Sequence, residues 1–432
     1  MTASTQLVSM PAHVEKKRLL MPAAAFVLTT TYVVLAHLSP AFLFPHLAHY
    51  HIMVGLAVAA TVACLWQILF HPLRWRSPEV YLMLGLTAAV PVSLIANGHL
   101  GGALRGLRDF LVSGGVFFLV FAAVDTVRKI RVLAFAVVIA AIYLLSQSLY
   151  GWHRNGLHSR YVLRQHLYNA KQDVVGEFPR LQSIGLVDDP NTFAQYLLVA
   201  AGLLTLAWSP GPWRKNLARN LALAILPGAY LLYGILVTHS RGGLIGLAIL
   251  VFFLLEKRFG KMISLVLAGS LLRLLFLLGA DGPRSISLTD PSMSGRIQVT
   301  QTGFDMFRSS PVFGVGFHQF IAHNPSLTVH DSLLLCLAEL GIVGCLFWLG
   351  LIVFSIIYLN RILRSYITLV QAPDLVSSAN GVRIALFTFF GTALFLPQTY
   401  GMTLYVLIGM AAAARQLFLR QAEAARLGRS NH

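Results

Sequence analysis

Charged side chains are scarce in this sequence. Aspartate, glutamate, lysine and arginine together make up 11% of the 432 residues, whereas a soluble globular protein carries about 25%. The chain is 56% hydrophobic, and apolar runs of about 20 residues, each long enough to cross a membrane as a helix, recur along its length. The alternating pattern of membrane-spanning strands is missing. The composition therefore excludes a soluble globular domain and predicts an all-α polytopic membrane protein.

Cysteines are also few, and Cys64, Cys336 and Cys345 all fall within apolar runs. They form neither a disulfide framework nor a CxxC metal site, so we interpret them as small core residues. The metalloprotease motif HExxH is absent, and no cluster of histidines has clean zinc spacing. A metal bound by Asp188, Asp189 and a histidine remains an open alternative.

The hydropathy pattern predicts about twelve membrane-spanning helices in a single integral-membrane domain that covers residues 1–432. The first apolar run lacks a cleavage site, and we interpret it as an uncleaved first helix. The predicted spans are 19–37, 51–70, 79–96, 107–124, 132–150, 191–208, 221–237, 244–255, 262–279, 332–359, 384–397 and 403–414. Two connections, 151–190 and 280–331, are long, and long loops in a compact protein are often functional.

The distribution of positive charge orients the chain. Twenty-one of the 33 lysines and arginines fall in alternate connections, with six of the 16 acidic residues. Because lysine and arginine accumulate in cytoplasmic loops, we assign this face and both termini to the cytoplasm of a multi-pass inner-membrane protein. The net charge of +17 is then mostly a mark of topology, and we expect no nucleic-acid partner. The long loops 151–190 and 280–331 are predicted to be periplasmic.

The outer face is biased toward arginine. Arginine presents a planar fork of donors and stays charged, which suits phosphate oxygens, so a lipid-linked phosphate or diphosphate at this surface would fit. Eleven of the twelve basic residues there are arginines: Arg105, Arg108, Arg154, Arg160, Arg164, Arg180, Arg241, Arg273, Arg284, Arg296 and Arg308. The alternative is that they pair with acidic residues of the same face: Asp173, Glu177, Asp188, Asp189, Asp281, Asp290 and Asp305.

Histidines accumulate on the same face, where they can act as general bases near neutral pH or as metal ligands. They are His99, His153, His158, His166, His239, His318, His323 and His330.

Two further segments on the outer face carry polar residues next to predicted helices. Residues 180–196 lead a polar loop into a helix, with Pro190 and Asn191 as ordinary capping residues. The tight turn His239-Ser240-Arg241-Gly242-Gly243 places an arginine on the outer face. The preference of basic residues for cytoplasmic loops does not account for an arginine there, so we favour a functional role.

A third pattern extends from Arg296 through Pro311-Val-Phe-Gly314-Val-Gly316 to residues 330–344. His330 and Asp331 begin the predicted tenth helix, and Glu339 lies roughly 12 Å deeper at 1.5 Å per residue. An ionisable residue at that depth in a membrane helix indicates a functional role.

Together these patterns resemble the O-antigen ligase and polymerase superfamily of bacterial envelope enzymes. The likeness covers the hydropathy profile along most of the chain and is strongest over residues 180–344. It is carried by the SRGG turn, by the long outer loop with an arginine and a PxxGVG-like stretch, and by H-[ND]-x-x-L…E-x-G-x-x-G from His330 to Gly344. Many relatives have asparagine after the histidine, where this chain has Asp331.

The resemblance implies a metal-independent glycosyltransferase of the lipid-sugar (GT-C) type, without a cofactor. It would transfer a glycan from undecaprenyl diphosphate to an acceptor at the periplasmic face, which for the ligase branch is the lipid A–core oligosaccharide. We hypothesise that His330 is the general base and that Arg241 and Arg296 stabilise the diphosphate leaving group. The predicted substrate-binding residues are Arg154, Arg160, Arg164, Arg180 and His323.

Two alternatives share this chemistry and differ in the acceptor: an O-antigen polymerase and a protein O-oligosaccharyltransferase. A transporter or flippase for lipid-linked sugars belongs to another class and would be expected to show internal repeats and broken helices at the midplane. We expect the protein to act as a monomer in contact with membrane lipids.

Overall fold

The computed structural model describes residues 12–44, 46, 50–70, 76–168, 174–208, 213–283, 291–323, 329–365 and 372–430. The fold within these ranges is helical, with one two-stranded hairpin. The helices are α1 (Ala12–Leu38), α2 (Pro40–Leu43), α3 (Ile52–Phe70), α4 (Pro78–Ala96), α5 (Leu100–Ser113), α6 (Val116–Ala123), α7 (Val127–Asn155), α8 (Pro190–Leu204), α9 (Trp213–Asn220), α10 (Leu226–Val237), α11 (Arg241–Phe259), α12 (Lys261–Leu277), α13 (Pro291–Ser309), α14 (Gln319–His323), α15 (Ser332–Arg364), α16 (Pro373–Ala393) and α17 (Met402–Ser430).

Several of these helices have the length and composition of membrane spans. Within the described ranges, five helices are at least 18 residues long and have high mean hydropathy. They are Pro78–Ala96, Val127–His158, Lys215–Val237, Ser332–Arg364 and Met402–Ala425. Helices α5 and α6 add a sixth if they are taken as one span bent by 42°. The helical membrane class is confirmed, whereas the count of twelve spans and the GT-C type remain predictions. The predicted span 107–124 covers the second half of α5 and all of α6.

A β-hairpin lies in the predicted outer loop 151–190 and was not expected from the sequence. Its strands are β1 (Val162–Tyr168) and β2 (Val174–Leu181), paired antiparallel with His166 opposite Glu177. The last residues of β2, from Arg180 to Leu181, are buried. The hairpin therefore carries Arg180 from the outer loop into the helical core.

The core is formed by apolar faces of α7, α8, α15, α16 and α17. Its largest fully buried side chains include Trp348, Tyr196, Tyr405 and Phe389. All three cysteines are buried, which confirms their interpretation as core residues. At the opposite end of the helices from the β-hairpin, Arg415 donates to Glu79 at 3.1 Å, so a buried acidic group is neutralised there by a buried basic one.

Helix α15 is broken at Gly341, whose φ of 65° and ψ of −166° are not helical. The loop 311–316 lies against this break. Four backbone hydrogen bonds join them: Val315 N to Ala338 O at 2.9 Å, Gly316 N to Glu339 O at 3.1 Å, Ile342 N to Pro311 O at 2.9 Å and Val343 N to Val312 O at 3.1 Å. Because unpaired backbone groups are costly inside a membrane, a break of this kind requires a partner segment.

Side chains from neighbouring elements hold the loop 311–316 in place. The carbonyl of Gly314 accepts from Asn97 Nδ2 at 2.6 Å and from Ser310 Oγ at 2.7 Å. Ser93 Oγ accepts from the Phe317 amide at 3.1 Å. The PxxGVG-like stretch and the ExGxxG stretch are therefore the two halves of one joint, which we call the glycine break and define by the loop 311–316 and residues 338–343.

Replacing Gly341 by alanine is expected to destabilise the fold. Its φ lies in the left-handed region, and an added Cβ would meet Val312 O at 2.4 Å. A strained residue of this kind costs about 1–3 kcal/mol before the clash is counted. Thermal unfolding of the purified protein in detergent measures the loss. Gly269→Ala in α12, where an added Cβ meets nothing within 4 Å, is the matched control, and equal melting temperatures for both variants would contradict the prediction.

Candidate active site

Three helices begin close together at one end of the molecule, and each is capped by a polar side chain. Asp189 caps α8 by accepting from the Asn191 amide at 2.8 Å, and Ser240 caps α11 by accepting from the Gly243 amide at 3.1 Å. Asp331 caps α15 and accepts from the amides of Leu333 and Leu334 at 2.8 and 3.0 Å. We call this end of the molecule the site end and define it by these three caps.

The capping role explains why this chain can have Asp331 at a position where many members of the O-antigen ligase and polymerase superfamily have asparagine. Aspartate and asparagine are about equally good caps, because either side chain offers an oxygen to the first amides of the helix. The departure at Asp331 therefore leaves the beginning of α15 unchanged.

Arg180 joins the β-hairpin to the beginnings of α8 and α11. Its guanidinium is buried and donates to Thr238 O at 3.0 Å and to Asn191 Oδ1 at 2.8 Å. The same Asn191 oxygen accepts from Ser240 Oγ at 2.8 Å. We call Arg180, Asn191 and Ser240 the arginine junction. This geometry gives Arg180 a positioning role next to the turn that carries Arg241, and its predicted contact with substrate remains a prediction.

Arg241 is the first residue of α11 and pairs with Asp281, with 2.8 Å between Arg241 Nε and Asp281 Oδ2. The arginine side chain is 28% exposed and the aspartate 9%. His239, in the same turn, lies 3.1 Å from Ala280 O through its Nδ1. The connection that follows α12 therefore fixes the turn, and the predicted pairing of outer arginines with acidic residues occurs here at a side chain that stays partly exposed.

A chain of hydrogen bonds links the arginine junction to the beginning of α15. Gln398 Nε2 donates to Thr192 Oγ1 at 3.3 Å, next to Asn191. The Gln398 amide donates to Ser332 Oγ at 2.8 Å, and Thr399 Oγ1 donates to Ser332 O at 2.6 Å. His330 is half-buried and lies two residues before Ser332. The turn of Arg241 and the segment of His330 are thus held in one connected structure by the segment between α16 and α17.

Arg296 lies on α13 with its side chain exposed. One turn later, Val299 is buried in a cluster that includes Val329 and Leu334. Helix α13 therefore packs along the first turns of α15, and this contact brings the segment of Arg296 beside that of His330.

The remaining predicted substrate-binding residues lie farther along the outer loops. Arg154 and Arg160 are exposed and share one open cavity of about 520 Å³. Arg164 lies 3.8 Å from Glu177 across the hairpin, as the alternative of acidic pairing predicted. His323 is the last residue of α14. In the hydrogen bonds of the described residues, Arg154, Arg160 and Arg164 do not contact the arginine junction, and the roles of all four residues remain predictions.

A cavity of about 360 Å³ opens beside the site end and is lined by residues from α8, α15 and the connections before α14 and α17. Its polar lining includes His318, Glu339, Tyr400 and Gln398. Glu339 was singled out in the sequence by its depth in α15, and His318 was one of eight outer histidines. Tyr400 carried no sequence signal, because its place in the cavity depends on the packing of α15 against α17.

His318 and Tyr400 are both uncharged in this setting. The His318 ring stacks on Phe317, with 4.0 Å between centroids. Burial lowers the pKa of His318 below its usual value, and Asp109 acts in the opposite direction. Burial raises the pKa of Tyr400 well above its usual value. At neutral pH, Tyr400 is therefore a hydrogen-bond donor and His318 a neutral imidazole. Among the described residues, no group of three or more histidine, cysteine or acidic side chains is placed to hold a metal.

Arg180→Lys is expected to destabilise the protein by about 1–3 kcal/mol, because a single ammonium group cannot reproduce the fork that reaches both Thr238 O and Asn191 Oδ1. Thermal unfolding in detergent measures this loss. Arg164→Lys, at an exposed position, is the control and should stay within about 0.5 kcal/mol of the original chain. An unchanged melting temperature for Arg180→Lys would contradict the positioning role.

Comparison with known proteins bears on the segment that holds most of this site. Residues 226–349 match a family model described as O-Antigen ligase. The matched segment contains Arg241, Arg296, His330, Glu339 and the glycine break. A search of curated proteins finds no match for the chain. The resemblance seen in the motifs is confirmed over residues 226–349, where the chain is similar to the O-antigen ligase family.

Proposed function

We propose that this protein is an O-antigen ligase that transfers a glycan from undecaprenyl diphosphate to the lipid A–core oligosaccharide. The proposal rests on one observation above all. Arg241 and His330, from two distant parts of the matched segment, lie on helix ends that the Asn191, Gln398 and Ser332 hydrogen bonds hold together. In this proposal the site end faces the periplasm and the donor's lipid tail lies between helices that open to the bilayer.

The proposed reaction begins with His330, whose imidazole nitrogen takes the proton from an acceptor sugar hydroxyl. The hydroxyl oxygen then attacks the anomeric carbon of the donor sugar. The bond between that carbon and the diphosphate oxygen breaks, and undecaprenyl diphosphate leaves with the electron pair. Arg241 and Arg296 stabilise the developing negative charge, as preorganised donors do in many enzymes.

The Arg241–Asp281 pair fits a role of this kind. A lone guanidinium at the end of a membrane helix would be free to change rotamer, whereas the 2.8 Å contact with Asp281 fixes it through Nε. An arginine held through Nε keeps the plane of its guanidinium in one orientation, and a planar guanidinium is the group that recognises phosphate oxygens best. Asp281 also lowers the net charge of the site, so the diphosphate is not bound so tightly that it cannot leave.

Single replacements test the assigned roles. His330→Ala is expected to lower kcat/KM by about 10²–10⁴-fold, and Arg241→Ala and Arg296→Ala by about 10²–10³-fold each. The measurement is glycan transfer by purified protein in detergent or proteoliposomes that contain donor and acceptor. Arg308→Ala, on the same helix as Arg296 and 78% exposed, is the control and should keep the original rate. Near-full transfer by His330→Ala would refute its role as the base.

Transfer is further expected to persist when EDTA is present, since arginines take the part that a divalent ion plays in many enzymes with a diphosphate leaving group. The same assay, run with and without EDTA and then with added magnesium or manganese, measures this. Activity that is lost in EDTA and restored by either ion would contradict the metal-independent mechanism.

The choice of acceptor separates the ligase from its relatives. Purified protein supplied with the lipid-linked donor is offered lipid A–core, a glycan repeat or a protein acceptor in parallel reactions. Product on lipid A–core alone supports the ligase, whereas product on the repeat or on protein identifies a polymerase or a protein O-oligosaccharyltransferase. Movement of the donor between leaflets without any product would identify a transporter.

A further inference from the structure

The most unusual group in the molecule is the side chain of Glu339. It is 1% exposed, and its Oε1 accepts from the Phe320 amide at 3.0 Å. Its other oxygen, Oε2, is buried and has no hydrogen-bond partner. A buried acidic oxygen without a partner is costly, and neither the proposed base nor the proposed diphosphate site uses it.

Tyr400 presents the complementary group. Its hydroxyl lies beside the Glu339 carboxyl and acts on it electrostatically, yet Tyr400 Oη is also buried without a hydrogen-bond partner of good geometry. Both residues line the cavity of about 360 Å³ at the site end. Neither oxygen has a hydrogen-bond partner of good geometry, so the cavity offers a ligand one acceptor and one donor that lie side by side.

We propose that this cavity binds a neutral sugar ring of the glycan substrates, with one ring hydroxyl donating to Glu339 and accepting from Tyr400. A sugar hydroxyl is both a donor and an acceptor, so a single group can satisfy both side chains. The volume falls at the lower end of the range of small-ligand sites, which fits one ring and excludes a long branched chain. This inference rests on the proposed function for the identity of the substrate.

The charge of the lining argues against a phosphate in this cavity. Among the described residues, no lysine or arginine lines it, so nothing there would neutralise the charge of a bound anion. Apolar and aromatic surface from Tyr196 and Met402 completes the wall and suits the apolar faces of a sugar ring. The diphosphate and the sugar are thereby assigned to different places, the first near Arg241 and the second beside Glu339.

The position of the cavity fits substrate binding at the proposed reaction centre. Glu339 lies two turns along α15 from Ser332, and the cavity wall also contains Thr192 and Gln398, which connect the arginine junction to α15. The glycine break fixes Glu339 at the same time, since Gly316 N donates to Glu339 O. A ring bound here would lie between the segments that carry Arg241 and His330.

Two isosteric replacements test the site. Glu339→Gln keeps an oxygen for the Phe320 amide and replaces the free oxygen by a donor, while Tyr400→Phe removes only the unused hydroxyl. The matched controls are Glu423→Gln, an exposed acid in α17, and Tyr405→Phe, whose hydroxyl donates to Thr399 O at 3.0 Å and does not line the cavity. Tyr400→Phe is expected to melt at or above the original temperature, because it removes an unsatisfied buried group.

The first measurement is binding of methyl β-glucoside to purified protein in detergent by saturation-transfer NMR. Both cavity variants are expected to bind about 10-fold more weakly, the effect of one lost hydrogen bond to a charged or buried group, while both controls bind normally. Inorganic pyrophosphate should not displace the sugar. This readout needs no turnover, so it tests the cavity even if the chain transfers no glycan.

The second measurement is the KM of each substrate in the transfer assay. If the cavity variants raise the KM of one substrate about 10-fold with kcat little changed, a ring of that substrate binds in the cavity. Varying the acceptor and the donor separately shows which of the two it is. If wild-type protein makes no product, the proposed function fails and the binding measurement alone decides the sugar site. If Glu339→Gln and Tyr400→Phe both bind and react like the original chain, the sugar site is refuted while the proposed function stands.

Discussion

The need to pair every backbone amide and carbonyl inside an apolar medium shapes this site more than any single side chain. Helix α15 breaks at Gly341, and the freed groups would be costly if the loop 311–316 did not pair with them. Closing the break draws that loop into the bundle. His318 and the Phe320 amide, which follow directly, are thereby brought to Glu339. The pairing of loop 311–316 with the break in α15 therefore also forms one wall of the cavity.

The site end is also held together by a few polar side chains, each of which forms hydrogen bonds to more than one helix or strand. Asn191 Oδ1 accepts from both Arg180 and Ser240, so one oxygen joins the hairpin, α8 and α11. Ser332 performs the same task for α15 and the segment before α17. Because each of these groups has several partners, the proposed catalytic residues are placed by helix ends that cannot move independently.

The outer arginines, similar in sequence, take three different roles in the fold. Arg180 is buried and donates to a backbone carbonyl, Arg241 is mostly buried and held by Asp281, and Arg154 and Arg160 line an open cavity. Both interpretations of the arginine bias therefore apply, each to different residues. The sequence alone could not assign these roles to individual arginines. Arg180 is buried because the hairpin packs against α8 and the turn before α11, and these contacts join residues far apart in the chain.

The sequence by itself determined the membrane class and the order of the motifs, because hydropathy and spacing are local properties. It also marked Glu339, since an acid within an apolar run is visible without coordinates. Only the tertiary structure decided that the PxxGVG and ExGxxG stretches form one joint, that Arg180 supports the turn of Arg241, and that Tyr400 faces Glu339. Each of these depends on contacts between residues far apart in the chain, which no local pattern encodes.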